Sequence, residues 1–333
     1  MSVADYMTTC LHHPEHGYYA TRDPIGADGD FVTAPEISQM FGEVLGLALA
    51  QTWMDQGAPD RILLAELGPG NGTLMADVLR ATATVPGFHA AADIALVESS
   101  RVMRERQRRA LPGHAPRFCD TVQDLPDAPL FLVGNEFFDA LPIRIFQRSI
   151  SGWDEWRVGA ADGALQIGLR PAELVPDLSK APGNYTEICP AAEAIASEIG
   201  TRIAQFGGAA FIIDYGELES REVTFQAVHK HQKVDPLAHP GQADLTAHVA
   251  FGPLLRAARP AQGFGPVEQG TFLARLGLHQ RADQLATRLT GDALNQHRAA
   301  EKRLTTPGEM GTLFKVIGLA PAGAADLPGL ERA

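Results

Sequence analysis

The stretch Ile62-Leu-Leu-Ala-Glu-Leu-Gly-Pro-Gly-Asn-Gly-Thr73 decides the expected fold, because a short apolar run in it leads directly into a glycine-rich turn. A continuous apolar run of this length is typical of a strand that is buried on both faces of a parallel sheet. The residues after the turn carry apolar side chains at helical spacing, so the turn should connect a strand to a helix. Ligands of open α/β sheets bind outside the carboxyl ends of such strands. We therefore expect a ligand site at this turn.

The glycines of this turn lie at positions 68, 70 and 72 and follow an acidic residue, Glu66. A dinucleotide fingerprint, G-x-G-x-x-G, would require glycine at position 73, where the chain has threonine. The spacing G-x-G-x-G after an acidic strand end is instead the usual pattern for S-adenosylmethionine. Glycine also allows a tight turn and a close approach of the backbone to a ligand. We assign cofactor binding to Glu66, Gly68, Gly70 and Gly72; a turn that only connects strand and helix is the alternative.

Strands and helices are predicted to alternate along much of the chain. This alternation favours an α/β fold with a doubly wound, mainly parallel sheet and right-handed crossovers. Besides residues 62–67, the predicted strands are residues 94–97, 117–119, 130–133 and 209–213, and the predicted helices begin near residues 35, 73, 100 and 191.

Two stretches interrupt the alternation and suggest a division of the chain. Residues 143–170 contain strand-like pieces separated by glycine, which predicts an antiparallel hairpin. Residues 217–310 mix histidine, proline and glycine with helical pieces, which indicates a smaller lobe or lid. We therefore expect an N-terminal segment over the cofactor (1–56), a Rossmann-like core with the hairpin insertion (57–216), the smaller lobe (217–310) and a return to the core (311–333).

Acidic residues follow two further predicted strands. Glu98 comes directly after the strand that ends at Val97, where its carboxylate could accept hydrogen bonds from both hydroxyls of a ribose. Asp120 follows the next strand and could meet the adenine amino group. A solvated glutamate at a helix start is the alternative for Glu98, and a turn aspartate is the alternative for Asp120.

The stretch Gly134-Asn-Glu-Phe-Phe-Asp-Ala-Leu-Pro142 follows the strand at residues 130–133. At a topological switch point it should lie near the reactive end of the cofactor. Asn135, Glu136 and Asp139 place polar groups beside two phenylalanines, and such a site could orient a guanidinium or an amine. The alternative is a helix start that is capped by Asn135 and Asp139.

Composition and charge exclude several classes of protein. The formal net charge of −12, from 28 basic and 40 acidic residues, disfavours a nucleic-acid binder. Three scattered cysteines exclude a disulfide framework and point to a reducing cytoplasm. The histidines lack any zinc-ligand spacing, so no metal is expected. No apolar run is long enough to cross a membrane, and neither a signal peptide nor a transit peptide is visible.

Many segments together resemble the MidA-like methyltransferases, also called the DUF185 family. The resemblance extends over nearly the whole chain, and its two most specific motifs contain Gly29-Asp-Phe…Pro35-Glu36 and Asn135-Glu-Phe-Phe-Asp-Ala-Leu-Pro142. The other segments that carry it are Tyr6-Met7…Cys10-Leu11…His13-Pro14, Gly17-Tyr-Tyr19, Phe41-Gly-Glu43, Glu66-Leu-Gly-Pro-Gly-Asn-Gly-Thr-Leu74, Ile212-Ile-Asp-Tyr-Gly216, Ala243-Asp-Leu-Thr-Ala-His-Val249, Gln269-Gly-Thr-Phe-Leu273 and Met310-Gly-Thr-Leu-Phe-Lys315.

The resemblance implies a class I S-adenosylmethionine-dependent methyltransferase. In mitochondrial relatives it implies symmetric dimethylation of an arginine in the 49-kDa-type subunit of NADH:ubiquinone oxidoreductase, in connection with complex I assembly. We expect Glu136 to be the first catalytic candidate, with Asn135 beside it and Asp139 as the weaker second. The substrate or lid residues are expected to be Asp30, Phe31, Glu36 and Asp214, although Asp214 could equally be a plain strand-to-loop exit.

Other functions remain open from the sequence. The chain could methylate a small molecule or another side chain, or it could be an assembly chaperone that binds S-adenosylmethionine and whose catalysis is incidental. A nicotinamide-dependent oxidoreductase is disfavoured by Thr73.

Overall fold

The structure is a computed structural model of the 333-residue chain that describes residues 1–21, 33–172, 178, 181 and 183–333. The chain forms two compact units, each assembled from three segments. The first unit comprises the described residues of Met1–Phe31, Phe138–Ala194 and Gly216–Leu254, and the second those of Val32–Phe137, Ile195–Tyr215 and Leu255–Ala333.

The regular elements are numbered along the chain. The strands are β1 (Ile62–Leu67), β2 (Ala92–Val97), β3 (Arg117–Cys119), β4 (Leu130–Asn135), β5 (Arg144–Ser149), β6 (Gly152–Ala161), β7 (Ala164–Pro171), β8 (Tyr185–Ile188), β9 (Gly208–Glu217), β10 (Gln226–His229), β11 (Gln232–Val234), β12 (Asp244–Thr246), β13 (Val249–Ala250), β14 (Gln262–Glu268) and β15 (Phe314–Ala320). The helices are α1 (Val3–His12), α2 (Tyr18–Thr21), α3 (Ala34–Ile37), α4 (Gln39–Asp55), α5 (Thr73–Thr82), α6 (Phe88–Ala91), α7 (Arg101–Ala110), α8 (Pro190–Phe206), α9 (Phe251–Ala257), α10 (Gln269–Arg275), α11 (Leu278–Ala286), α12 (Gly291–Thr305) and α13 (Met310–Leu313).

The second unit is built on a mainly parallel sheet with the strand order β14-β15-β9-β4-β1-β2-β3. Strands β1, β2, β3, β4 and β9 pair in parallel, whereas β15 runs antiparallel to both β9 and β14. The chain moves outward from β1 to β3 and then returns to the other side of β1 as β4. This reversal confirms the predicted doubly wound α/β fold and creates a switch point between the carboxyl ends of β1 and β4.

The core of the second unit lies on the buried strands of this sheet. All six residues of β1 and all six of β4 are buried, which explains why both strands are almost continuously apolar in sequence. The amphipathic helix α5 packs against α4, and Phe41, Leu45 and Phe131 are fully buried in the same cluster. The strand ends are therefore held on a rigid, closely packed base.

The predicted helix near residue 35 is divided into α3 and α4. Ser38 interrupts it with an extended backbone (φ −161°), and its hydroxyl accepts a hydrogen bond of 3.3 Å from the amide of Met40. Serine competes for backbone amides in this way, which favours a cap over continuation of the helix. The short helix α3 is consequently separate from the long buried helix α4.

The first unit contains two small antiparallel sheets. One has the order β7-β6-β5-β8, and the other has the order β11-β10-β12. The expected hairpin at residues 143–170 is present as β6 and β7, and β5 and β8 extend it to four strands. Residues 255–310 of the expected smaller lobe fall in the second unit instead of the first. The four-segment division thus stays a prediction, and the compact units group the chain differently.

Candidate cofactor-binding and catalytic site

The carboxyl ends of β1 and β4 lie side by side at the switch point. The last residue of β1, Leu67, pairs with Gly134 of β4, so the glycine turn and Asn135 leave the sheet next to each other. The ring of Phe137 packs on the turn, since a Cβ atom built on Gly68 would lie only 2.8 Å from Cδ2 of Phe137. The two motifs that the sequence singles out are therefore neighbours within the second unit.

The glycine turn depends on residues without a side chain. Gly68, Gly70 and Gly72 have φ angles of +56°, +52° and +84°, in the left-handed region that favours glycine. Gly72, the residue before α5, also lies close to α7, because a Cβ atom there would lie 3.1 Å from the Cβ atom of Ala110. The turn therefore requires glycine for its backbone conformation, and Gly72 also for its close approach to α7.

Glu66 is buried at the end of β1, and burial raises the pKa of its carboxyl to about 8. The amide of Met75 in α5 hydrogen-bonds to this carboxyl. Its Oε2 atom is buried and has no hydrogen-bond partner among the residues that the structure describes. An unsatisfied buried oxygen is costly, so a donor from a bound ligand would be favourable here. This oxygen, at the strand end that leads into the glycine turn, fits a cofactor with hydroxyl or amino donors.

Glu98 follows β2 and is held by α7. Its Oε1 accepts a hydrogen bond of 2.8 Å from the amide of Ser100, and its Oε2 accepts one of 3.1 Å from Nε2 of Gln107. Burial raises the pKa of the Glu98 carboxyl above its ordinary value. The same Nε2 of Gln107 donates a 2.8 Å hydrogen bond to the carbonyl of Gly70. Gln107 was not expected from the sequence, since a single polar residue within an arginine-rich helix gives no local signal.

Asp120 lies at the exposed end of β3. Its Oδ1 accepts a 2.6 Å hydrogen bond from the guanidinium of Arg104, and Nε of Arg104 donates to the carbonyl of Glu98 at 2.7 Å. Arg104 thus links the two acidic positions that the sequence assigned to ribose and adenine. The assignment of Asp120 to adenine stays a prediction.

Glu136 directly follows β4 and has a left-handed backbone, with a φ angle of +51°. Its Oε1 accepts hydrogen bonds of 3.0 Å from the amide of Ala34 and 3.1 Å from Nδ2 of Asn135. Oδ1 of Asn135 is buried and lacks a partner within the described parts of the chain. A non-glycine residue with such a backbone is strained, and strain of this kind clusters at functional sites.

The short helix α3 contacts both motifs. Oε1 of Glu36 accepts hydrogen bonds of 2.7 Å from the hydroxyl of Thr73 and 3.3 Å from Nδ2 of Asn71. Ala34 of the same helix binds Glu136, so α3 bridges the glycine turn and the strand end of β4. The other expected lid residues, Asp30 and Phe31, lie outside the described residues.

The remaining two candidates are both buried. Asp139 belongs to the first unit, where its carbonyl accepts a 3.0 Å hydrogen bond from the amide of Ala247. Residues 138–141 form a turn that leads into β5, so the alternative of a capped helix start is wrong for this stretch. Asp214 is completely buried inside β9, which continues to Glu217, and it is therefore not a strand-to-loop exit.

The described residues show neither a metal-ligand cluster nor a membrane-spanning helix. They contain no group of three or more histidine, cysteine, aspartate or glutamate side chains that could hold a metal ion. Among the same residues, no helix is long and apolar enough to span a membrane.

Comparison with known proteins gives consistent matches. Residues 44–268 match the family described as "Putative S-adenosyl-L-methionine-dependent methyltransferase". The chain is 35% identical to the human mitochondrial protein arginine methyltransferase NDUFAF7, over 96% of this chain and 80% of that protein. It is 34% identical to the Xenopus tropicalis protein of the same name, over 96% and 82% of the two chains.

Solved structures agree with these matches. A COG1565 superfamily member from Burkholderia thailandensis, bound to S-adenosyl-homocysteine, superimposes with a TM-score of 0.86 and 29% identity, over 99% of this chain and 90% of that one. A native crystal structure of a COG1565 superfamily protein from Burkholderia thailandensis gives 0.83 and 30%, over 99% and 89%. The sequence motif, the doubly wound sheet and these matches agree, and the chain belongs to this family of S-adenosylmethionine-dependent methyltransferases.

Proposed function

We propose that this methyltransferase acts on protein arginine. The observation that carries the proposal is the hydrogen-bonded carboxylate of Glu136, which stands on a strained backbone at the switch point, beside the glycine turn. The relatives that are named protein arginine methyltransferases match 96% of the chain at 34–35% identity, which supports the same substrate class here. The formal charge of −12 also suits a cationic substrate.

The chemistry explains why a carboxylate is needed. Arginine stays protonated in proteins, so its nitrogens are weak nucleophiles. A carboxylate that accepts two directional hydrogen bonds from a guanidinium draws the positive charge towards itself and away from the reacting nitrogen. S-adenosylmethionine supplies a methyl group on a positively charged sulfur. The protein must then hold the nitrogen in line with that methyl group, and such positioning accounts for much of the rate.

The proposed roles follow from the placement of each side chain. Glu136 orients the guanidinium, and the amide groups of Ala34 and Asn135 fix its carboxylate. Asp139 is the weaker second candidate. For the cofactor we propose contacts with Glu66, Gly68, Gly70, Gly72, Glu98 and Asp120, and for the substrate or lid, contacts with Asp30, Phe31, Glu36 and Asp214.

The finer identity of the substrate is also a proposal. The family resemblance points to an arginine of the 49-kDa-type subunit of NADH:ubiquinone oxidoreductase, and therefore to a role in complex I assembly. The three cysteines are free thiols, as expected for a protein that works in a reducing compartment such as the cytoplasm.

A deletion strain tests the proposal most directly. Mass spectrometry of its proteins should show that a specific methylarginine is lost, and the gene for the wild-type chain should restore it. A Glu136→Gln copy should not restore it. If Glu136→Gln restores both methylation and complex I assembly, the arginine chemistry proposed for Glu136 is wrong. If Glu136→Gln restores assembly while methylarginine stays absent, a chaperone role explains the protein better than catalysis.

A further inference from the structure

Gln107 connects two parts of the site that are far apart in sequence. Its side chain is completely buried, and its Nε2 donates to the carbonyl of Gly70 at 2.8 Å and to Oε2 of Glu98 at 3.1 Å. Both partners are acceptors, so the amide nitrogen must face them and the orientation of the amide is fixed. One side chain therefore sets the distance between the glycine turn and the carboxylate after β2.

The polar group of Gln107 does more than fill space. Its Oε1 is buried and has no hydrogen-bond donor in the part of the chain that the structure describes. An apolar side chain of similar length would pack in the same volume without an unsatisfied carbonyl, which is costly when buried. The amide is thus explained by what its nitrogen holds in place, and its oxygen is available to a donor that the described chain does not supply.

We propose that Gln107 is a positioning residue for S-adenosylmethionine, which holds the Glu98 carboxylate and the Gly70 carbonyl at the spacing that the cofactor requires. This inference rests on the proposed role of Glu98 in cofactor binding. Without Gln107, the Glu98 carboxylate would lose its hydrogen bond at Oε2 and keep the one from the amide of Ser100 at Oε1, so the side chain would have to lose more freedom when the cofactor binds. The free protein would then be less well organised for its ligand.

The first test is Gln107→Met, with binding of S-adenosyl-homocysteine measured by calorimetry. We expect affinity to fall about tenfold, the effect of losing one hydrogen bond to a charged group. In steady-state kinetics the KM for S-adenosylmethionine should rise while kcat stays within about twofold. The reason is that the lost interaction stabilises the bound cofactor equally in the ground state and in the transition state. An unchanged affinity in a folded variant would overturn the proposal.

Gln269→Met provides a matched control. Gln269 is also completely buried, its Nε2 donates to the carbonyl of Leu304 at 2.9 Å, and its Oε1 also lacks a partner among the described residues. It holds a helix carbonyl, not a residue of the glycine turn. The two variants should lose similar thermal stability, and only Gln107→Met should lose affinity. An equal loss of affinity in both would reduce Gln107 to a structural residue.

The pH dependence of affinity gives a signature that a structural role would not produce. Burial raises the pKa of the Glu98 carboxyl, and the hydrogen bond from Gln107 and the charge of Arg104 on the same helix oppose that rise. The other ionisable groups near this position are Asp120, which pairs with Arg104, and Cys119, whose carbonyl accepts from the amide of Glu98. Gln107→Met should therefore move the acid limb of the affinity profile to higher pH.

Gln107→Glu should behave in the opposite way. Two carboxyl groups at hydrogen-bonding distance share one proton, and like charges disfavour loss of that proton. Affinity of this variant should therefore be partly restored at low pH and should fall as the pH rises. A profile parallel to that of the wild type would contradict the proposal.

Glu98→Ala separates this inference from its premise. If Glu98→Ala weakens binding about tenfold or more while Gln107→Met does not, the role of Glu98 stands and the inference about Gln107 is wrong. If neither variant changes affinity, the proposed ribose contact of Glu98 is wrong, and the inference about Gln107, which depends on that contact, is wrong as well.

Discussion

Oε1 of Glu36 accepts a hydrogen bond of 2.7 Å from the hydroxyl of Thr73, which joins α3 to the first residue of α5. The same short helix donates the amide of Ala34 to Glu136. A four-residue helix is not stable by itself, so α3 depends on such contacts for its position. It follows that the same short helix, α3, holds both the glycine turn and the proposed catalytic carboxylate of Glu136 by hydrogen bonds.

Thr73→Val tests this support, because it removes the hydroxyl and keeps the shape of the side chain. We expect affinity for S-adenosyl-homocysteine to fall about three- to tenfold, since the turn loses a hydrogen bond to a charged group, worth ~1 kcal/mol at a partly exposed position. Glu36→Met, which removes the accepting carboxylate, should cost at least as much, because it also loses the hydrogen bond from Asn71. The double variant should lose little more than Glu36→Met alone, since both changes remove the hydrogen bond between Thr73 and Glu36.

Thr82→Val is the control for that cycle. Thr82 lies at the other end of α5, and its buried hydroxyl donates to the carbonyl of Val78 at 2.8 Å. Its replacement should lower thermal stability without a change in ligand affinity. Additive losses in the Glu36 and Thr73 double variant would show that the two side chains act separately.

Gly70→Val should abolish binding of S-adenosyl-homocysteine. A β-branched residue is strained at a φ angle of +52°, and its side chain would project from the turn at which we propose that the cofactor binds. Gly113→Val is the matched control, because its φ angle is +83° and none of the described residues lies within 4 Å of a Cβ atom built there. Both variants should lose stability, on the order of 1–3 kcal/mol of backbone strain. Equal affinities in a thermal-shift titration would remove Gly70 from the ligand site.

Glu66 should make stability depend on pH. Burial raises the pKa of its carboxyl to about 8 from an ordinary value of 4.5. Between pH 4.5 and about 8 this carboxyl is therefore protonated in the folded protein and ionised in the unfolded chain. Its contribution to stability is therefore complete below pH 4.5 and is lost as the pH rises to about 8. Relative to Glu66→Gln, the free energy of unfolding of the wild type should fall by on the order of a few kcal/mol across this window.

Urea denaturation at several pH values between 5 and 9 measures this difference. Glu105→Gln, which changes an exposed glutamate of α7, should leave the pH profile as it is in the wild type. Saturating S-adenosyl-homocysteine should flatten the profile of the wild type, because a donor to the buried oxygen favours the ionised carboxyl. Parallel curves for the wild type and Glu66→Gln would show that Glu66 does not titrate in this window.

The strands and the glycine turn could be predicted because their signals are local. Residues 62–67 form a continuous apolar run, and the glycines that follow have no side chain to fit a left-handed backbone. Pairing between distant segments leaves no such signal. The antiparallel strand β15 lies against β9, about a hundred residues earlier in the chain, and only the folded structure places it there.

The sequence does not predict the polar contacts of the site that join residues far apart in the chain. Gln107 lies in a helix with five arginines, where nothing in the spacing marks it as the partner of Gly70 and Glu98. The stretch after Asn135 was ambiguous for another reason. Asparagine and aspartate side chains suit a turn as well as a helix cap, and here the chain continues into a turn and then β5.

Glu136→Gln tests the proposed chemistry, because it removes the charge and keeps the shape. A glutamine oxygen can still accept from the amide of Ala34 and from Nδ2 of Asn135, so the fold and the position of α3 should survive. Methyl transfer to protein substrate should fall by ~10²–10³, as when one preorganised electrostatic partner is removed. Affinity for S-adenosyl-homocysteine should stay within about twofold of the wild type, because the lost charge acts on the substrate.

Transfer of labelled methyl groups to candidate proteins, followed by hydrolysis and identification of methylarginine, measures this effect. Asp139→Asn makes the same change at a buried carboxylate in the first unit, and we expect it to lose less activity if Glu136 is the main partner of the guanidinium. A larger loss of activity in Asp139→Asn than in Glu136→Gln would make Asp139 the main partner of the guanidinium. Full activity in Glu136→Gln would remove Glu136 from the reaction, whereas label found only on lysine would reject arginine as the substrate and leave the methyltransferase assignment intact.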